Sequence, residues 1–285
     1  MSSIPTDPTI ILSDLHLGHR ASKIHDPAQL SPILKEAGTV IFNGDTAEMR
    51  TSADRPIGRR LAADLARVCH SIGCRSIFIN GNHDPVISRI DHLDLMGGRA
   101  LVTHGDILFL GVAPWSKKAL AYRKIHLRAL AHLGPDALMN FEKRLLATKR
   151  TSIKLQLLEH VVSRSGTIPP GIRLLLHQLW PPHRIFMILQ AWLETPALAG
   201  QLTELFRPAA RYVLIGHTHY PGHWRHRQVI VINTGSFVLH FGALAAVIDG
   251  ASIKIRKVQE QKGSFVLGKT VAQFREPQTV APELA

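Results

Sequence analysis

The sequence predicts an α/β fold built on a mixed β-sheet. Two patterns carry that reading. Short runs rich in β-branched residues alternate with helical patterns through residue 110, and such runs resume after residue 210. Between them lies a long stretch with helical periodicity only.

Thr9-Ile10-Ile11-Leu12-Ser13 reads as a buried strand, and Thr39-Val40-Ile41-Phe42-Asn43 as the next. Leu61, Leu65, Val68 and Ile72 share one face of a predicted helix over 59–72. Ser76-Ile77-Phe78-Ile79-Asn80 is a third strand. Ala100-Leu101-Val102-Thr103 and Ile107-Leu108-Phe109-Leu110 are predicted as two more, with His-Gly-Asp between them. Helices are then expected over 120–133, 137–146, 153–162, 185–193 and 198–206, interrupted at Pro169-Pro170-Gly171 and Pro181-Pro182. Strands on both sides make residues 115–210 a helical insertion in a domain formed by 1–114 and 211–276. Tyr212-Val213-Leu214-Ile215 restarts the sheet. Runs over 228–233, 243–248 and 252–255 then read as an antiparallel meander, turning at Asp249-Gly250. Residues 277–285 read as a polar, flexible tail.

A chain of 285 residues accommodates one large domain with a substantial insertion. Its net charge of +13 points to acidic partners: a phosphorylated substrate, an anionic membrane surface or nucleic acid. From Trp115 to Arg211 fifteen Lys and Arg face five Asp and Glu, so most of the excess lies in the insertion. The two cysteines, Cys69 and Cys74, exclude a disulfide framework and a Cys-rich zinc site, and read as small core residues in a reducing compartment. The first eight residues have neither a basic nor an apolar leader pattern, so a cytoplasmic location is expected, with peripheral contact to an anionic membrane.

Five clusters carry chemistry: Asp14-Leu15-His16, Gly44-Asp45, Gly81-Asn82-His83-Asp84, His104-Gly105-Asp106 and Gly216-His217-Thr218-His219. Each follows an apolar run that reads as a strand. Strand C-terminal ends in such sheets converge on one crevice. In Asp14-Leu15-His16 and His217-Thr218-His219, alternate residues of an extended segment would face one side. One Asp-x-His or His-x-His is more often a capped turn or a surface histidine. Five clusters at five strand ends form an inventory of hard oxygen and imidazole donors suited to a two-metal hydrolytic site.

With SDLHLGH, FNGD, INGNHD, VTHGD and IGHTH in this order, the chain resembles the calcineurin-like metallophosphoesterase superfamily over 9–111 and 211–257. The resemblance implies an α+β sandwich of two mixed sheets flanked by helices, with the helical insertion as a cap. It implies two divalent ions, manganese above iron or zinc. Asp14, His16 and His219 would take one ion and Asn82, His104 and His217 the other, with Asp45 bridging. It implies hydrolysis by a hydroxide between the metals, with His83 as a catalytic residue at the leaving group. Asp84 is expected to orient His83, since a carboxylate fixes an imidazole tautomer.

SDLHLGH, HGD, GHTHYP and the basic helical insertion are similar to bacterial UDP-2,3-diacylglucosamine hydrolase-like phosphoesterases. His83 stands where that subgroup carries arginine. The implied substrate is a phosphodiester or pyrophosphate, lipid-linked as in a UDP-diacylglucosamine-like molecule. A metal-dependent nuclease or nucleotide phosphodiesterase is the alternative, and a non-enzymatic scaffold of the same fold is a third reading.

Overall fold

The computed structural model describes residues 8–158 and 183–276. The predicted proline breaks at 169–171 and 181–182 and the 277–285 tail lie outside the described residues. In chain order the strands are β1 (Thr9–Leu12), β2 (Thr39–Asn43), β3 (Arg75–Ile79), β4 (His92–Leu95), β5 (Ala100–Thr103), β6 (Tyr212–Ile215), β7 (Gly222–His226), β8 (Val229–Asn233), β9 (Leu244–Asp249), β10 (Ser252–Gln261) and β11 (Ser264–Arg275). The helices are α1 (Ser31–Leu34), α2 (Asp54–Ser71), α3 (Ala119–Ala131), α4 (Phe141–Leu158) and α5 (His183–Phe206).

The strands form two mixed sheets. One has six strands in the order β11-β10-β9-β1-β2-β3, the other five in the order β4-β5-β6-β8-β7. β1, β2 and β3 run parallel, as do β5, β6 and β8; the outer strands are antiparallel. Alternation along each strand divides its apolar residues between two layers. Ile11, Ile41 and Ile79 meet Val102, Leu214 and Ile232 between the sheets. Ile10, Leu12 and Phe42 point outward onto Ile33 of α1 and Leu65 of α2. Both cysteines sit in this outer layer as free, buried thiols.

The second sheet's outer face is covered by the helices that the sequence reads as an insertion. Phe141 and Leu145 of α4 and Ala191, Ala199 and Leu202 of α5 pack on Leu101, Val213, Ile215 and Val231. Lys149 Nζ reaches Asp91 Oδ1 at 3.1 Å, and Arg207 Nε reaches Asp94 Oδ1 at 3.1 Å. α4 and α5 therefore supply one of the sandwich's two helical layers and are tied to the sheet at its edge.

Several expectations need correction. Residues 107–110 are not a strand. Gly105 takes φ +107° and turns the chain, Asp106–Leu108 form a 3-10 turn, and Ile107, Leu108 and Phe109 are buried beside the outer helical layer. The helices expected over 185–193 and 198–206 are one helix running through Pro196. Proline removes one backbone donor, and Thr195 Oγ1 donates to Ala191 O at 2.6 Å beside it. β4, β7 and β11 went unpredicted. β4 and β7 are edge strands with polar, partly exposed sequences, so their apolar signal is weak.

Candidate metal centre

The C-terminal ends of five strands place the five clusters around one cleft. β1 leads to Asp14 and His16, β2 to Asp45, and β3 to Asn82 and His83. From the other sheet, β5 leads to His104 and β6 to His217 and His219. Asn43 links the two sheets here, donating from Nδ2 to Thr103 O at 3.0 Å and Leu214 O at 3.3 Å.

The local backbone is not extended as expected. Asp14, His16, Asp45, His217 and His219 all have positive φ, from 49° to 67°. Side chains converge because these loops turn through the left-handed region, not because strand alternation continues. Non-glycine residues there are strained and persist when surrounding contacts over-determine them. Those contacts are visible. Asp14 accepts from His217 N at 3.0 Å, Ser236 Oγ donates to Asp14 O at 3.1 Å, and Asn233 Nδ2 donates to Gly216 O at 2.9 Å. Two glycines are required by close approach. A Cβ on Gly216 would overlap the Asp14 carboxylate, and one on Gly81 would overlap the Asp45 backbone and carboxylate.

Donor atoms crowd the centre of this cleft. Asp45 Oδ2 lies 3.4 Å from His104 Nε2, 3.7 Å from His16 Nε2 and 3.9 Å from His83 Nε2. His219 Nε2 lies 3.2 Å from both Asp14 Oδ1 and His16 Nε2. Asn82 Oδ1 lies 3.2 Å from His104 Nε2. Ligands held ~2.1 Å from one ion sit ~3.0–3.4 Å apart, so these spacings fit cation coordination. Three groups have donor atoms all within 4.8 Å of one another: Asp14, His16 and His219; Asp45, His104 and His217; and His16, Asp45 and His83.

Neighbouring carbonyls aim the imidazoles. His104 Nδ1 contacts Asn43 O at 3.1 Å, and His217 Nε2 contacts Val112 O at 2.9 Å. The Val112 carbonyl accepts an N–H from His217, which leaves the opposite ring nitrogen with its lone pair toward the cleft; His104 is instead raised well above its ordinary value against the pull of burial, chiefly by Asp45. Burial, reinforced by the nearby His83 charge, lowers His16 to about 3. Burial and the His104 charge lower His217 to about 3 as well. Burial would raise Asp45, but His104 and His83 outweigh it and hold the carboxyl well below its ordinary range. Neutral imidazoles beside ionised carboxylates are what a divalent cation needs.

The structure reassigns the orienting carboxylate. Asp84 does not face the His83 ring. Its oxygens accept from the amides of Asp45, Thr46, Ala47 and Gly81 at 2.7–3.1 Å and clamp two ligand loops together. Glu48 faces His83 instead, with Oε2 2.9 Å from Nδ1. Burial opposes ionisation of Glu48, yet the His83 charge pulls it down to about 2. His83 is raised against the pull of burial, by Glu48 first and Asp45 next. The site residue that the sequence reading missed is Glu48. Glu48 had one signal, its place three residues after Asp45 in Gly-Asp-Thr-Ala-Glu.

No protein-family model matches the chain, and no curated protein matches it. Solved structures of similar shape include vacuolar protein sorting 29 from Cryptosporidium parvum, at 9% identity and TM-score 0.41, covering 95% of this chain and 98% of that one. A dimetal phosphatase from Danio rerio gives 10% identity and TM-score 0.43, with 89% and 96% covered. Yfce, a phosphoesterase from E. coli, gives 14% identity and TM-score 0.38, with 94% and 98% covered. At TM-scores below 0.5 these likenesses add nothing to what the site's own residues show.

Proposed function

We propose that the chain is a dinuclear-metal-dependent phosphoesterase that hydrolyses a phosphodiester or pyrophosphate. One observation carries this: seven oxygen and imidazole donors, from Asp14, His16, Asp45, Asn82, His104, His217 and His219 on five loops, crowd one cleft at cation-coordination spacing. Asp14, His16 and His219 would hold one ion and Asn82, His104 and His217 the other, with Asp45 within reach of both sets. Manganese suits this hard oxygen and imidazole set, with iron and zinc as the other candidates. When bound, the ions supply water activation and neutralise phosphoryl charge. The chain's own residues do the rest. Glu48 holds His83 protonated and oriented, so His83 presents Nε2–H toward a departing oxygen. Asp84 fixes the loops that carry Asp45, Asn82 and His83.

A UDP-diacylglucosamine-like lipid is the leading substrate. Support comes from α3, which carries Arg123, Lys124 and Arg128 beside exposed Leu120 and Leu127, with no acidic residue. Such a face suits an anionic membrane surface. Among the described residues no helix is long and apolar enough to cross a membrane. A nucleotide or nucleic-acid phosphodiester is the second reading. It is favoured by the aromatic row Trp192, Tyr220 and Trp224, stacked at 4.7 Å and 6.0 Å beside His219.

A substrate panel on metal-loaded protein separates these. Cleavage of bis(4-nitrophenyl) phosphate and of the lipid pyrophosphate, with a single-stranded oligonucleotide left intact, is the expected result. Oligonucleotide cleavage without lipid cleavage moves the assignment to the second reading. Inertness toward all three contradicts both.

A further inference from the structure

The loop over 112–116 belongs to none of the five motifs, yet it packs against the metal centre. Val112 takes φ +70°, a conformation that a β-branched residue keeps only where its surroundings hold it. Val112 O lies 2.9 Å from His217 Nε2, and the Trp115 ring packs on His217 with centroids 5.1 Å apart. Arg184 Nε donates to Trp115 O at 2.9 Å, so α5 fixes the loop from its other side. An open cleft of about 550 Å³ lies beside this loop, within the roughly 300–1,000 Å³ usual for small-molecule sites. Asn82 lines it at the metal end, Trp115 and Ser116 line it from the loop, and Ser152, Leu155 and Gln156 from α4.

Three side chains mark the chemistry of the ligand. The other hydroxyls of α4 are satisfied on its own backbone: Thr148 Oγ1 donates to Arg144 O at 3.0 Å, and Thr151 Oγ1 to Ala147 O at 2.7 Å. Ser152 departs from this pattern. It is 2% exposed, and its buried Oγ has no hydrogen-bond partner among the described residues. A buried hydroxyl in that state is uncommon and calls for a group that supplies the partner. One turn further on, Gln156 Nε2 donates to His83 O at 2.9 Å, which leaves the amide oxygen of this lining residue as an acceptor. A hydroxyl and an amide oxygen one helical turn apart match neighbouring hydroxyls on a sugar ring. Trp115 adds a flat apolar wall for the ring's C–H face.

We propose that this cleft binds a sugar ring of the substrate, with Ser152 and Gln156 hydrogen-bonding its hydroxyls and Trp115 against its apolar face. The proposal rests on the phosphoesterase reading and deepens it, because it names a sugar phosphoester as the substrate class. Cleft and metal centre share Asn82, so a phosphoryl group held at the ions leaves its sugar at the mouth of the cleft. The bond from Gln156 to His83 O puts this subsite on the side of the departing oxygen. A hexose and a ribose present the same hydroxyl chemistry, and the test below separates them.

Inhibition of bis(4-nitrophenyl) phosphate hydrolysis by four monophosphates tests it. Methyl phosphate, cyclohexyl phosphate, D-glucose 6-phosphate and D-ribose 5-phosphate offer the ions the same group and differ in what reaches the cleft. Each affinity is taken relative to methyl phosphate, which cancels any change at the ions themselves. On metal-loaded wild type a sugar phosphate should inhibit ~10-fold or more tighter than cyclohexyl phosphate, which has a ring but no hydroxyls. The glucose ester leads if the substrate carries a hexose, and the ribose ester leads if it is a nucleotide. Ser152→Ala and Gln156→Leu should each narrow the gap by roughly 2–10-fold, the worth of one neutral hydrogen bond. Trp115→Leu should weaken all three ring esters against methyl phosphate, and Trp115→Phe should restore most of that loss. No preference for either sugar over cyclohexyl in wild type, or a preference that Ser152→Ala and Gln156→Leu leave unchanged, overturns the sugar subsite and leaves the phosphoesterase reading intact. Failure of wild type to hydrolyse the diester overturns that reading, and direct titration of the same four esters, followed by tryptophan fluorescence, then decides the cleft by itself.

Discussion

Glu48 Oε2 sits 2.9 Å from His83 Nδ1, and the opposite ring nitrogen points toward Asp45 Oδ2, 3.9 Å away. One carboxylate thus fixes the tautomer and charge of the imidazole from behind while its other edge faces the cleft. His83 is raised by this arrangement despite burial. If His83 serves as the acid proposed above, activity should fall as pH rises through its pKa. Glu48→Gln removes the charge that raises that pKa. The alkaline limb of the rate profile should move to lower pH, and turnover should drop by roughly 10–10²-fold with metal content kept. An unshifted limb would show that Glu48 does not act through His83.

His83→Ala should separate chemistry from metal binding. Near-normal metal content with a rate loss of roughly 10²–10⁴-fold is expected. His16, Asp45 and His83 also form a donor group able to hold one ion. Loss of one metal equivalent in this variant would make His83 a ligand instead.

Gly216→Ala should injure the site without replacing a ligand. The added Cβ has no room beside the Asp14 carboxylate and the Ser13 side chain. Overpacking of this kind costs about 1–3 kcal/mol, and here the strain falls on Asp14. Lower thermal stability together with weaker metal retention is expected; a variant that keeps both would show that the β6 loop yields easily.

His126 makes a pH prediction away from the centre. It is 4% exposed, Nδ1 has no partner among the described residues, and burial together with the Arg144 charge lowers it to about 4. Between pH 6.5 and 4 the unfolded chain binds a proton at this residue that the folded chain refuses. Stability is therefore lost as pH falls through that window, by about 3 kcal/mol in total. His126→Leu should remove this increment. Denaturant unfolding at pH 7 and pH 4.5 should show a smaller acid loss in the variant than in wild type, and equal losses would contradict the assignment.

The parallel strands were legible because both faces are buried: Ile10-Ile11-Leu12 and Val213-Leu214-Ile215 are continuous apolar runs. The candidate donors were legible because each cluster follows such a strand's end. Glu48 was not, since a lone acid in Thr-Ala-Glu-Met resembles any loop carboxylate until the fold brings His83 to it. Periodicity showed that α4 and α5 bury a face but not that the second sheet is what they cover. Residues 107–110 misled because an apolar, Ile-containing run says nothing about the turn that Gly105 imposes. The left-handed backbone at Asp14 and His217 has no sequence signal, because it is imposed by contacts from Ser236, Asn233 and the opposite loop.

The most direct test of the two-metal account is metal analysis paired with hydrolysis of bis(4-nitrophenyl) phosphate, on wild type and on Asp45→Asn. The account predicts two divalent ions per chain in wild type, hydrolysis abolished by a chelator and restored by added metal, and a joint loss of metal and turnover in the variant. Two ions and wild-type turnover in Asp45→Asn, or hydrolysis that survives complete removal of metal, would contradict it.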